Sequence, residues 1–136
     1  MRLNRVEQAC RAFNEIFELC EGCFVDTATF VAGGDFDYLD VRLVQTKKWD
    51  LVSVLLEDVR FFSISKPTEV RGSFFDELSV TYLPRLGSPW PDGVEALVPR
   101  FDELPELFWT RFVGPVMIEA ISARMTVSVS QPEGTS

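Results

Sequence analysis

The residues of this 136-residue chain best suited to chemistry are three cysteines, several clustered carboxylates and one proline-bracketed tryptophan; no histidine stands beside them. Without histidine, no Ser-His or Cys-His nucleophile pair, imidazole base or imidazole metal ligand can be assembled. Cys20-Glu21-Gly22-Cys23 has the spacing of a redox pair or of half a zinc site. A redox pair needs its first thiol near a helix N-terminus, where the dipole favours the thiolate. Here the pair follows the C-terminal end of the first predicted helix, where the dipole has the opposite sign. A structural zinc site wants four ligands, and Cys10 is the only further thiol. The three cysteines therefore read as packed, reduced side chains, and no metal or cofactor is expected.

Asp35, Asp37 and Asp40 form the densest acidic cluster. A calcium loop of the EF-hand type needs glycine at its sixth position and glutamate at its twelfth, and Asp40 and Thr46 stand there instead. Calcium held by another loop geometry is the alternative to a solvated hairpin end. Glu57, Asp58, Asp76 and Glu77 could supply the two carboxylates of a glycosidase. Sequence neighbours on a strand point to opposite faces, however, so Glu57 and Asp58 cannot converge on one substrate unless the chain turns there. Gly33-Gly34 lacks the spacing, lysine and helix of a phosphate loop. Ser63-Ile64-Ser65-Lys66 lies in a strand pattern, where no nucleophile elbow forms. Trp90, in Ser88-Pro89-Trp90-Pro91-Asp92, is either an exposed binding anchor or a plug for one end of the fold.

The elements that must position these residues follow from periodicity. Val6, Ala9, Cys10, Phe13, Ile16, Phe17 and Cys20 recur at helical spacing, which predicts an amphipathic helix over residues 4–21. Asn4 and Glu7 form a capping box, and Gly22 supplies a left-handed stop. Beyond it the period falls to two. Strands are expected over 24–31, 36–45, 49–58, 59–65 and 74–83, with a Gly33-Gly34-Asp35 turn after the first. The stretch 49–58 is apolar on both faces and reads as a central strand. Between 58 and 62 the inward parity shifts, as at a bulge. Residues 84–106 hold five of the eight prolines and read as a connection lying over one end of the sheet, with a short helix near 92–98. Strands at 107–113, 116–121 and 123–129 close the fold, and 131–136 form a tail.

The expected architecture is one mainly β (α+β) domain spanning 1–136. It is an antiparallel β-sandwich or strongly curved sheet of about eight strands, with one N-terminal amphipathic helix. A domain of this length buries enough surface to need no disulfide or metal. Thirteen Lys and Arg against 21 Asp and Glu give a net charge of −8, which repels phosphate backbones. Lys47-Lys48 is the one adjacent basic pair, so nucleic-acid binding is not expected. No apolar run reaches the roughly 18 residues of a membrane span, and the first residues hold no apolar signal core. Together with the reduced thiols, this predicts a cytoplasmic protein.

The segments Trp49-Asp50-Leu51-Val52-Ser53-Val54-Leu55-Leu56-Glu57-Asp58-Val59-Arg60-Phe61-Phe62 and Phe112-Val113-Gly114-Pro115-Val116-Met117-Ile118-Glu119-Ala120-Ile121 resemble small acidic, β-rich bacterial immunity-type proteins paired with polymorphic or secreted toxins. The shared features are a hydrophobic strand passing through an acidic step into a second, and a closing strand hairpin. The long N-terminal helix and the 84–105 insertion depart from that pattern. The resemblance implies a non-enzymatic inhibitor that binds and neutralises a toxin-like protein, and the acidic charge of the chain points to a basic partner, toward which complementary fields steer it. Asp35, Asp37, Asp40, Glu57, Asp58, Asp76, Glu77 and Trp90 are the expected partner-binding residues. Two other functions compete with this one: a small-molecule-binding β-domain with a cavity of some 300 Å³ or more, and a structural subunit or homodimer joined through the 123–129 edge.

Overall fold

A computed structural model of the chain describes residues 5–33, 37–66 and 74–130. The first element, α1 (Arg5–Glu18), buries Cys10 and Phe17 and packs Val6, Ala9, Phe13 and Ile16 against the same core, as its apolar stripe predicts. The cap at Asn4 lies outside the described residues. After α1 the chain turns through Leu19 to Gly22, and Gly22 takes the left-handed φ of 85° expected of a stop.

Six strands follow among the described residues, in one antiparallel sheet: β1 (Phe24–Val31), β2 (Tyr38–Val44), β3 (Leu51–Ser65), β4 (Glu77–Leu83), β5 (Leu107–Val113) and β6 (Met117–Ser130). Their spatial order is β1-β2-β3-β6-β5-β4. The expectation of about eight strands is thus corrected to six, because two pairs of predicted strands are single long ones. The 49–58 and 59–65 stretches are both β3, and 116–121 and 123–129 are both β6. β3 survives the acidic step because Asp58 adopts φ 54°, and the pairing with β6 shifts register between Val59 and Phe61. A bulge absorbs the parity change instead of a turn.

β3 is central, as expected, but buried on one face only. Val52, Val54 and Leu56 are fully buried, whereas Leu51, Ser53 and Leu55 are half-buried. The sheet curls. A lone antiparallel bridge joins Phe24 of β1 to Phe74 just ahead of β4, so the two outer strands meet at one corner. Gly22 N–H also donates to Phe75 O at 2.7 Å, and Phe75 N–H to Cys23 O at 3.0 Å. Gly114 sits against this crossing: a Cβ there would collide with the Phe74 carbonyl and lie 2.9 Å from Phe75 Cα.

The helix packs on β4 and β5. Its Asn14 pairs with the backbone of Val80 as a further strand would, Nδ2 donating to Val80 O and Val80 N–H donating to Oδ1, both at 2.9 Å. That contact satisfies an otherwise bare strand edge. On the other face of β4 and β5, residues 84–106 seal a second small core of Leu83, Trp90, Val94, Val98, Leu104, Leu107 and Ile121. The helix predicted near 92–98 is a single 3-10 turn, Val94–Ala96, entered through Gly93 at φ 88°. The Pro-rich connection therefore forms a layer of its own, and the sheet lies between it and α1. The 131–136 tail lies outside the described residues.

Candidate functional site

Strand pairing places the side chains of the β1-β2-β3-β6 half in rows. Leu39, Val41, Leu43, Val52, Val54 and Leu56 point inward and are fully buried. Their neighbours point the other way. One outward row runs Val31, Tyr38, Glu57, Arg124, and the next runs Thr29, Asp40, Leu55, Thr126. Tyr38 is 38% exposed, and it stands between Asp37 and Asp40 in sequence and opposite Glu57 in register. Asp58 joins the same corner, its N–H donating to Asp37 O at 3.0 Å.

Four of the sequence-predicted acids, Asp37, Asp40, Glu57 and Asp58, thus come together, although the strand alternation alone gave no reason for it. Arginines interleave them. Asp58 Oδ2 accepts from Arg60 at 2.9 Å, Asp40 lies 3.5 Å from Arg42, and Glu57 lies 4.0 Å from Arg124. Such half-exposed pairs contribute roughly 0–1 kcal/mol each and are screened by salt. They make the corner a mosaic of both signs rather than a purely acidic patch.

The other predicted residues fall elsewhere. Asp35 lies outside the described residues, as does most of the Gly33-Gly34-Asp35 turn. Asp76 and Glu77 are exposed at the start of β4, where Asp76 N–H donates to Val113 O at 2.8 Å. Along β6 the Glu57 row meets Arg124, while Glu77 is level with Val113, beyond the Phe112–Ile118 pair. At about 3.3 Å per residue this separation is on the order of 20 Å along the strands. Asp76 and Glu77 do not share the corner. Trp90 is a correction to the anchor reading. It is only 8% exposed, its Nε1–H donates to Pro84 O at 2.7 Å, and Arg100 stacks 4.4 Å from its ring centre. It is the plug of the second core. Tyr38, exposed like Phe24, Phe62 and Phe101, is the aromatic at the acidic corner that sequence reasoning missed, although its outward parity in a strand with Leu39, Val41 and Leu43 inward was legible.

The three thiols are unpaired and buried. Burial pushes Cys10 up to about 12, with the Glu7 carboxylate adding to it. It pushes Cys20 up to about 11, and Cys23 up to about 12 with a further push from Cys20. A thiol held neutral in this way is a poor nucleophile. Among the described residues no three His, Cys, Asp or Glu side chains gather as a metal would require. No helix among them is long and apolar enough to cross a membrane.

Beside the acidic corner lies an open cleft of about 470 Å³. It opens where β5 ends its pairing with β6 at Phe108 and Ser122, while β6 runs on beside β3 to Ser130. The first turns of α1 form its other wall.

No protein-family model, curated protein or solved structure matches the chain.

Proposed function

We propose that the protein acts by binding rather than catalysis, and that a basic protein partner docks on the outward face around Tyr38. The observation that carries this reading is the setting of Tyr38, an exposed aromatic ring with Asp37, Asp40 and Glu57 around it and Asp58 at the same corner. Interfaces concentrate their energy in tyrosine and arginine anchors flanked by polar residues, and this face offers both. The net charge of −8 adds long-range attraction for a basic partner, which raises the association rate more than the affinity. In its specific form this is a cytoplasmic immunity-type inhibitor that neutralises a toxin, as the resemblance of the 49–62 and 112–121 segments implies. Three reduced, buried thiols fit that compartment.

Affinity capture from the native lysate at low and moderate salt tests it, using wild type, Tyr38→Ala and Glu77→Gln. The expected result is a basic protein held by wild type and by Glu77→Gln, weakened by salt, and lost with Tyr38→Ala. Capture indifferent to Tyr38→Ala would sink the assignment of the face. Self-association as the only interaction at either salt would favour a homodimeric role instead.

A further inference from the structure

We infer that the chain pairs with a second copy of itself, edge to edge along β6, and that Val129 of each copy seats in the cleft of the other. β6 pairs with β5 only as far as Phe108–Ser122. From there to Ser130 it pairs, among the described residues, with β3 alone, so its other edge has no strand beside it. The remaining edges are defended. β1 carries Asp26 at its shift between Val25 and Thr27, and β3 carries Arg60 at its shift between Val59 and Phe61. The edge of β4 is taken at Val80 by Asn14 of α1. Charges, bulges and covering side chains of this kind keep strand edges from joining. Between Met125 and Ser130, β6 has no charge, no proline and no register shift.

The stretch is complementary to itself. A two-fold axis at Val127 sets Val127 against its own copy, Met125 against Val129, Thr126 against Ser128 and Arg124 against Ser130. No like charges oppose each other, and Arg124 keeps its Glu57 partner. Facing residues of an antiparallel pair share a face, so Val129 of the second copy arrives beside Met125. That face is the core-facing one, since Met125, Val127 and Val129 lie opposite buried Leu56, Val54 and Val52 of β3. On it the cleft of about 470 Å³ presents Val6, Ala9, Phe108 and Met125. Val129 is 40% exposed in the single chain. An exposed apolar side chain and an open apolar cleft thus answer each other, and the symmetry repeats the match. At about 3.3 Å per residue, 124–130 spans on the order of 23 Å. Such an edge is short beside the roughly 800 Å² per partner of a stable interface, so the dimer is reversible. The charge of −8 on each copy opposes the pairing, and salt screens that repulsion. Self-association therefore strengthens with salt, whereas docking of a basic partner weakens.

Analytical ultracentrifugation of the full chain from about 1 to 300 µM tests this, a range suited to a small interface. Wild type is expected to pass from monomer to dimer over that range, and at lower concentration in moderate salt than in low salt. Thr126 and Ser128 are exposed, so both accept a charge without disturbing the core, and thermal melts of dilute protein check the fold. Thr126→Lys with Ser128→Lys sets lysine against lysine twice and should weaken the dimer about tenfold. Thr126→Lys with Ser128→Glu sets lysine against glutamate in the same register and should dimerise at least as well as wild type. A wild type still monomeric at the highest concentration would overturn the self-pairing and leave the edge to a strand of another protein. Dimers indifferent to the double lysine would overturn the edge, and equal loss in both double variants would overturn the register. Tyr38→Ala should leave the dimer unchanged, so this inference and the partner-binding one stand or fall separately.

Discussion

Cys10, Cys20 and Cys23 are 5%, 0% and 0% exposed, and this sealing makes a prediction about pH. Their folded-state pKa values, about 12, 11 and 12, lie above the ordinary value of 9.0 that the unfolded chain restores. The folded form therefore keeps protons that the unfolded form gives up above pH 9. Stability from these groups is intact below pH 9 and declines as pH rises toward 11–12, by up to about 1.4 kcal/mol per pH unit for each thiol. Urea midpoints between pH 7 and 10 should fall less steeply for Cys23→Ala than for wild type. Alkylation of the native thiols should be slow and follow the unfolding rate. Asn14 offers a second test at this scale. Asn14→Ala strips two partners from Val80 and should cost about 1–3 kcal/mol. Asn14→Asp keeps an acceptor for Val80 N–H but sets a carboxylate oxygen against Val80 O. Only the neutral acid can donate there, so the new side chain's folded pKa lies above its unfolded value, and stability is lost as pH rises through it. The gap between Asn14→Asp and wild type should narrow from pH 7 to pH 4.

At the scale of elements, β3 turns on Asp58, whose φ of 54° is a backbone region that favours glycine. Asp58→Gly should leave stability within about 1 kcal/mol of wild type, the lost Arg60 contact being offset by relief of the left-handed backbone. Asp58→Val, which keeps a Cβ and adds β-branching, should cost about 1–2 kcal/mol or more, and thermal melts of the two variants check the contrast. The parity change at 58–62 was legible in the sequence, as were β1 and β5 to the residue. What local pattern could not show was that the register shift at Val59 meets Ser122 of β6, so that both long strands continue past it. That pairing joins residues about sixty apart, and periodicity says nothing at such range. The same limit applied to Trp90. Its prolines marked a loop, but the pocket it fills is built by Leu83, Leu107 and Ile121 from three strands. Arg100 holds that loop from within, donating to Arg85 O at 2.8 Å and stacking on Trp90, with its side chain only 10% exposed. A lysine there has a single ammonium and no planar fork. Arg100→Lys should lower stability by about 1–3 kcal/mol and expose 84–106 to limited proteolysis while the sheet remains protected.

The molecule as a whole depends on one main core to which α1 and all six strands contribute. Phe17 is fully buried in it, edge-on to Phe112 of β5 with ring centres 5.2 Å apart, and that core also holds Leu39, Val41 and Val54 of the other half-sheet. The Tyr38 corner and the cleft beside it are both consequences of this arrangement. The Tyr38 corner is the outer surface of strands whose inner surface is the core, and the cleft is the gap left where β6 departs from β5 beneath α1. Neither has a scaffold of its own, so loosening the core should blur both. Phe17→Ala should cost about 3–5 kcal/mol, the range for removing a fully buried aromatic. If the core is common to both halves, amide exchange in β2 and in β5 should accelerate together, in a single cooperative transition. Acceleration confined to β4 and β5, with β2 still protected, would show that the Tyr38 face rests on a separately stable unit. Its partner binding would then survive the loss of the helix contact.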